Sequence, residues 1–368
     1  MTQVYDVIVV GAGPVGAACA RDLAESGRQV LLIERGDDQG EGWRAAAGML
    51  APQAGATTDD PLFELGIAGR ERYAELAPLL KERTGMDVGF WQEGIARIAA
   101  DEADAGDLRS QVAWQRQQGH VSDWFDAGEV KSRWPWIGPS FGALWAPRDA
   151  ALHPARLVEA LIKDCVRLGV TVLRDEATTI ERRGARVSGV RGKEHYIGSD
   201  VVLAAGPWTR QIAGLPRPLP VEPIRGQMAA LAWPESVPRT IVLGRGAYVV
   251  PRDGEAVVGS TMEHAGFSSE VTAAGLAEIF TGVSALCPAL ARGEVLRTWA
   301  GLRPVTPDGL PILGREPRLQ GLWYATGHGR NGVLLAGVTG QMLARLISGE
   351  NEIEHLVPLR PERFYEWG

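Results

Sequence analysis

VYDVIVVGAGPVGAACARDLAESGRQVLLIE, residues 4–34, sets a short apolar run, Val7-Ile8-Val9-Val10, directly before three glycines. The run is rich in β-branched residues and predicts a buried parallel strand. Gly11, Gly13 and Gly16 then form G-x-G-x-x-G, with Pro14 and Val15 between the last two. The spacing predicts a helix over 17–26, ended by Gly27. Val30-Leu31-Leu32-Ile33 predicts a second buried strand closing on Glu34. Each glycine has a physical task. The first allows the tight turn, the second lets a pyrophosphate approach the backbone, and the third lets helix and strand pack closely. The helix N-terminus offers unpaired N–H groups and a positive dipole end to phosphates. Glu34 is placed to accept hydrogen bonds from ribose hydroxyls, and a carboxylate there disfavours a 2′-phosphate. Strand, turn, helix and acid together predict dinucleotide binding; FAD and NAD both satisfy them.

The 368 residues suggest about two domains, and 45% hydrophobic with 23% charged residues is ordinary globular composition. A formal charge of −7 without a long basic run argues against nucleic acid or anionic membrane surfaces as partners. Cys19, Cys165 and Cys287 are isolated and odd in number, which suggests neither a disulfide framework nor a metal site and fits a cytoplasmic location. The apolar N-terminus lacks a basic region, is interrupted by Asp6 and is already used by the first strand, so no signal peptide is expected. No run of about 20 apolar residues predicts a spanning helix.

Beyond Glu34 a polar, glycine-rich loop reaches Trp43 and enters the small-residue run 44–52. That run suits either close contact with a ligand or a tightly packed loop. A helix is expected over 61–84, broken or kinked at Pro78. Short strands at 90–91 and 95–98, a polar helix near 101–119 and a tryptophan-rich segment (Trp124, Trp134, Trp136, Trp145) follow; the tryptophans read as core packing. A helix over 155–168 and a strand over 170–173 lead into an antiparallel meander at 178–182, 186–190 and 194–197. A buried strand from Asp200 then enters the turn Gly206-Pro207-Trp208. Strands are expected at 226–232, 240–244, 247–251 and 255–262, and a helix over 271–286. Arg303 reads as part of a loop rich in proline and glycine. Leu322-Trp-Tyr-Ala-Thr326 and Gly327-His328-Gly329-Arg330-Asn331-Gly332 form a further strand–glycine–helix unit. Several such turns in one chain suggest one extended ligand across the carboxyl ends of a parallel sheet.

Taken together, the blocks GAGPVG with Glu34, AAAGMLAP at 45–52, WAGLRPVTPDGLPILG at 299–314 and GHGRNGVLLA at 327–336 resemble the D-amino-acid oxidase family of flavoproteins, and within it the glycine oxidases. YVVPR at 248–252 and VVGSTM at 257–262 also fit. The resemblance implies an α/β architecture: a Rossmann-like FAD domain with a parallel sheet (1–85, 146–218 and 298–368), interleaved with a mostly antiparallel substrate domain (86–145 and 219–297). It implies FAD held by Gly11, Gly13, Pro14, Val15, Gly16, Glu34 and Arg35, and by Arg44, Ala45, Ala46, Ala47, Gly48, Met49 and Leu50. Ala205, Gly206, Trp208, Arg303, His328, Gly329, Arg330, Asn331, Gly332 and Val333 complete the implied set. Around the reacting centre it implies Arg303 as carboxylate anchor, with Tyr248, Met262 and Arg330 beside it; a guanidinium fork matches a carboxylate. The start of the last helix, 331–333, is expected to aim N–H groups at the flavin pyrimidine edge.

The implied reaction passes hydride from the α-carbon of glycine or another small amino acid to flavin N5. The imine hydrolyses to a 2-oxo acid and ammonia, and dioxygen reoxidises the flavin to give hydrogen peroxide. Related sarcosine oxidases tether flavin through a cysteine in the C-terminal third, and no cysteine follows Cys287, so FAD is expected to be non-covalent. A secondary-amine oxidase acting on sarcosine or an iminodiacetate-like N-substituted glycine is the nearest rival, with Arg330 or His264 as the further cation. A D-amino-acid dehydrogenase is a more distant one. A homo-oligomer and a role in thiamine biosynthesis are further implications of the resemblance.

Overall fold

The computed structural model describes residues 3–36, 40–233, 240–350 and 354–365. Part of the polar loop expected after Glu34, residues 37–39, lies outside them. The N-terminal apolar run folds as strand Val4–Val10, the centre of a sheet. It lies parallel to Val30–Glu34 on one side and to His195–Leu203 on the other. Thr171–Arg174 and Leu322–Thr326 extend the parallel order at the two sides, and Ile312–Arg315 adds an antiparallel edge. Strand side chains alternate between faces. Val7 and Val9 therefore meet helices Pro14–Glu25, Phe63–Thr84, Pro154–Arg167 and Gly332–Ile347. Ile8 and Val10 meet Ile180, Val187 and Val190 of the meander strands on the other face. Both faces are covered, which is why the run is continuously apolar rather than alternating.

Three local expectations change. The helix Phe63–Thr84 passes through Pro78 without ending. Pro78 and Ala74, whose carbonyl loses its partner, are both exposed, so water meets the freed group. The third meander strand and the buried strand after it are one element, His195–Leu203, whose first half pairs antiparallel with Arg186–Arg191 while its length pairs parallel with Val4–Val10. Arg303 does not sit in a loop. It belongs to strand Val295–Val305, opposite Ile224.

The second sheet runs Val295–Val305, Glu222–Ala232, Glu255–Gly259, Ala247–Arg252, Ile241–Gly244, Ile95–Ile98, Ala143–Ala146, Asp123–Phe125. All neighbours are antiparallel except Ile241–Gly244 with Ile95–Ile98. Trp134 and Trp145 pack 5.4 Å apart on the side carrying helix Ala273–Leu286, so they serve the core as expected. The small pairing of Met49–Leu50 with Ala150–Ala151 ties residues 45–52 between the sheets. Among the described residues no helix is long and apolar enough to cross a membrane.

Candidate active site

A cavity of about 1040 Å³ starts at the carboxyl ends of the parallel strands, at Val10, Ile33, Ala204 and Ala325, and reaches the inner face of the antiparallel sheet. Gly11 has φ +99°, a conformation that L side chains avoid, and a Cβ there would lie 2.6 Å from the Ala204 carbonyl oxygen. A Cβ on Gly16 would lie 1.8 Å from the Gly11 carbonyl oxygen, so the helix sits against the turn. Gly13 caps that helix with no side-chain hydrogen bond. Its first N–H groups are thus left to whatever occupies the cavity. The helix Gly332–Ile347 likewise starts at Asn331 with no side-chain cap, and Gly332 and Val333 line the same space. Glu34 is held by the backbone: its Oε2 accepts from Ala12 N at 2.6 Å and its Oε1 from Gly36 N at 3.0 Å. Two uncapped helix N-termini and an anchored carboxylate in one elongated cavity fit a dinucleotide with negative charge at two separate places.

Most residues expected at the site line this cavity. They are Gly11, Gly13, Pro14, Val15, Glu34 and Arg35; residues 45–49; Ala205, Gly206 and Trp208; Tyr248, Met262 and Arg303; and residues 328–333. Gly16, Arg44 and Leu50 do not. Gly16 is spent on helix–turn packing. Arg44 stacks 4.3 Å from the Trp43 ring centroid and pairs with Glu41 at 3.3 Å, with its side chain 47% exposed. Leu50 alternates with Met49 on their short strand and is fully buried in the helix-side core. His264 would reach the pocket only if its strand continued and otherwise reads as a rim residue; the strand ends at Gly259, and His264 is exposed outside the cavity lining. Arg252 holds the loop over the cavity, donating to the carbonyls of Ala47 and, at 2.8 Å, of Leu152.

Sheet register brings the polar residues together. Met228, Gly259, Tyr248, Leu243 and Arg97 are successive cross-strand partners, so the side chains in this row share a face. Arg303, opposite Ile224, lies on that same face. Its Nη2 donates to Ser260 Oγ at 2.7 Å and its Nη1 to the Thr261 carbonyl at 3.1 Å. Burial pushes the Arg303 guanidinium below its ordinary value and Arg330 adds to this, while Tyr248 opposes it. Among the described residues no carboxylate pairs with Arg303. Burial pushes the Tyr248 phenol up, with Arg303 opposing, and the hydroxyl donates to Met228 Sδ at 2.9 Å.

Two residues with no motif to mark them belong to this arrangement. Gly226 leaves room for Arg303: a Cβ there would fall 2.0 Å from Nη1 and 2.3 Å from Cζ. No sequence pattern separates this glycine from an ordinary strand glycine. Arg97 had a weak signal, a lone charge in the strand sequence Ile95-Ala-Arg-Ile98. Gly226→Ala is expected to displace the Arg303 fork and lower kcat/KM by about tenfold, the cost of one charge-assisted hydrogen bond. Steady-state kinetics on flavin-replete variant checks this.

His328 is buried beside Thr339, with Nε2 3.2 Å from Thr339 Oγ1, and burial pushes it down from 6.5 to about 3. Its imidazole is neutral at working pH. The unfolded chain takes up a proton below about 6.5 that the folded one refuses until about 3, so stability falls as pH drops through that window. Tm should decline from pH 7 to pH 4.5, and His328→Gln should remove part of that slope. A slope identical to wild type would assign the acid sensitivity to other groups.

The family model for FAD dependent oxidoreductases matches residues 6–346. Glycine oxidase of Geobacillus kaustophilus is 32% identical over 368 residues, covering 97% of each chain. A crystal structure of glycine oxidase from that organism superposes with a TM-score of 0.92 at 30% identity, covering 98% of each chain. Iminodiacetate oxidase from Chelativorans sp. BNC1 superposes with a TM-score of 0.87 at 27% identity, over 96% of this chain and 98% of that one.

Proposed function

The chain belongs to the family of FAD dependent oxidoreductases and oxidises an amino acid or amine with FAD as cofactor; from that premise we propose that the substrate is glycine, another small amino acid or an N-substituted glycine, anchored by its carboxylate on Arg303. The observation that carries this reading is the state of Arg303: half-buried on the cavity face, hydrogen-bonded only to neutral groups, and without a counter-ion among the described residues. A guanidinium half withdrawn from water and lacking a counter-ion gains from a substrate carboxylate that enters the cavity.

When bound, FAD supplies the two-electron acceptor, taking hydride from the α-carbon and passing the electrons to dioxygen as hydrogen peroxide. The residues of the chain do the rest. The uncapped amides after Gly13 would hold the pyrophosphate, and Glu34 the ribose hydroxyls. The uncapped start of Gly332–Ile347 would face the negative charge that builds up on reduction. Arg303 fixes the carboxylate through its remaining N–H groups, while Ser260 and Thr261 fix Arg303. Tyr248, kept protonated by burial, has an O–H donor that would turn from Met228 Sδ to the carboxylate. His328 is neutral and tied to Thr339, so orientation rather than a side-chain base carries the C–H step. None of the three cysteines lines the cavity and all are buried, which supports non-covalent FAD; acid precipitation should leave the yellow colour in the supernatant.

The test is anaerobic mixing of the yellow holoprotein with glycine, sarcosine, D-alanine and a control amine lacking a carboxylate. Bleaching by the carboxylates alone, with peroxide formed on admission of air, is the expected result. Bleaching by the control amine at equal rates would remove the carboxylate anchor from the reaction.

A further inference from the structure

Arg97, on the antiparallel sheet, and Arg330, in the turn that follows the parallel strand Leu322–Thr326, both line the cavity and act on each other's charge. Arg97 Nη1 donates to the Ala56 carbonyl at 3.2 Å, and Arg330 Nη2 donates to the adjoining Gly55 carbonyl at 2.9 Å. The two guanidiniums are thus held by consecutive peptide groups, and both line the cavity. Neither has an ion pair among the described residues. Asp101 and Asp104 line the cavity nearby without an ion pair to either arginine: Asp101 Oδ1 accepts from Asp104 N, and Asp104 Oδ2 accepts from Ala100 N, each at 2.9 Å. Burial, with a smaller contribution from Arg330, pushes Arg97 below its ordinary value, while Asp104 and Asp107 oppose this only through space. Arg330 is exposed and Arg97 half-buried; the net shift of Arg97 stays downward, so the acids do not fully offset burial and Arg330, and a bound anion would add to their effect.

The register of the sheet says where that anion lies relative to the first anchor. Arg97 and Tyr248 are both cross-strand partners of Leu243, hence two strands apart on one face. Their Cα atoms are separated by about 10 Å at ordinary strand spacing. Glycine held at Arg303 and Tyr248 is too short to reach Arg97.

We propose that Arg97 and Arg330 form a second carboxylate subsite, so that the preferred substrates are amino acids or N-substituted glycines bearing a distal carboxylate. This rests on the reading of Arg303 as the anchor of the first carboxylate. A fork-shaped guanidinium pair recognises a planar carboxylate through parallel N–H donors, and the amine between the two carboxylates is then fixed at both ends.

The experiment has a binding and a kinetic arm. Holoprotein is titrated with inert acids, acetate and glutarate, following the visible flavin spectrum. Then kcat/KM is measured for glycine and sarcosine against D-glutamate and iminodiacetate. The expected result is tighter binding of glutarate than acetate by about tenfold and a matching preference for dicarboxylates. Arg97→Met should lower the dicarboxylate-to-monocarboxylate ratio of kcat/KM about tenfold, and Arg97→Lys should restore part of it. Oxidation of glycine and sarcosine with no dicarboxylate preference in the wild type, or a ratio unmoved by Arg97→Met, overturns the subsite and leaves the Arg303 reading standing. No bleaching by any of these compounds overturns both.

Discussion

Arg303→Leu should lower kcat/KM for the amino-acid substrate by about a hundredfold or more, while the protein stays yellow. The loss is that of a forked, charge-assisted contact, about 3 kcal/mol for two hydrogen bonds to an ion. KM should carry most of it, because the carboxylate is bound equally before and during the C–H step. Stability should not fall in step. The wild-type guanidinium is half-buried without a counter-ion among the described residues, and leucine removes that partly desolvated charge while losing the bonds to Ser260 and the Thr261 carbonyl. An unchanged or higher Tm beside a crippled kcat/KM would mark Arg303 as a residue kept for function. Arg303→Lys keeps the charge but not the fork and should fall between the two. A kcat/KM within threefold of wild type in Arg303→Leu would place the carboxylate elsewhere in the cavity.

Gly16→Ala should abolish tight FAD binding and destabilise the fold. The added methyl would sit 1.8 Å from the Gly11 carbonyl oxygen, and backbone cannot step aside as a flexible side chain can. The helix must move away from the turn, taking its N–H groups off the pyrophosphate. Overpacking of this kind costs about 1–3 kcal/mol or more, and lost FAD removes ligand stabilisation as well. Gly106→Ala is the control. It lies within helix Glu102–Gln117, where an added Cβ meets nothing within 4 Å. There the same substitution should stabilise by about 0.5–1 kcal/mol. Flavin content and Tm of the two variants provide the comparison. A Gly16→Ala protein that purifies with full FAD would show that the turn tolerates a wider helix–strand gap.

The arginines divide by how far their environment lies along the chain. Arg303 was identified through its motif, but its setting read as a loop because Pro304, Pro307 and Gly309 surround it. Pairing with Glu222–Ala232 makes it a strand residue, and Gly226 of that partner strand gives the guanidinium its place. Arg44 shares its neighbourhood with true cavity residues, yet its side chain stacks on Trp43, pairs with Glu41 and stays 47% exposed outside the lining. His264 stays at the rim for a simpler reason, since the strand that could have aimed it inwards ends at Gly259. At Pro78 local rules allow a break or a kink; the helix does not break, and exposure of the freed carbonyl to water lets it continue.

By itself the sequence determined the strand–glycine–helix turn, the run of buried strands and the kind of ligand they serve. These follow from sterics and hydrophobic periodicity, which act between residues a few positions apart. The tertiary structure alone decided which of these charges lack a counter-ion among the described residues: Arg303 over Gly226, and Arg97 beside Arg330. The cost of a charge depends on burial and on the counter-ions within a few ångströms, and strands distant in sequence supply both.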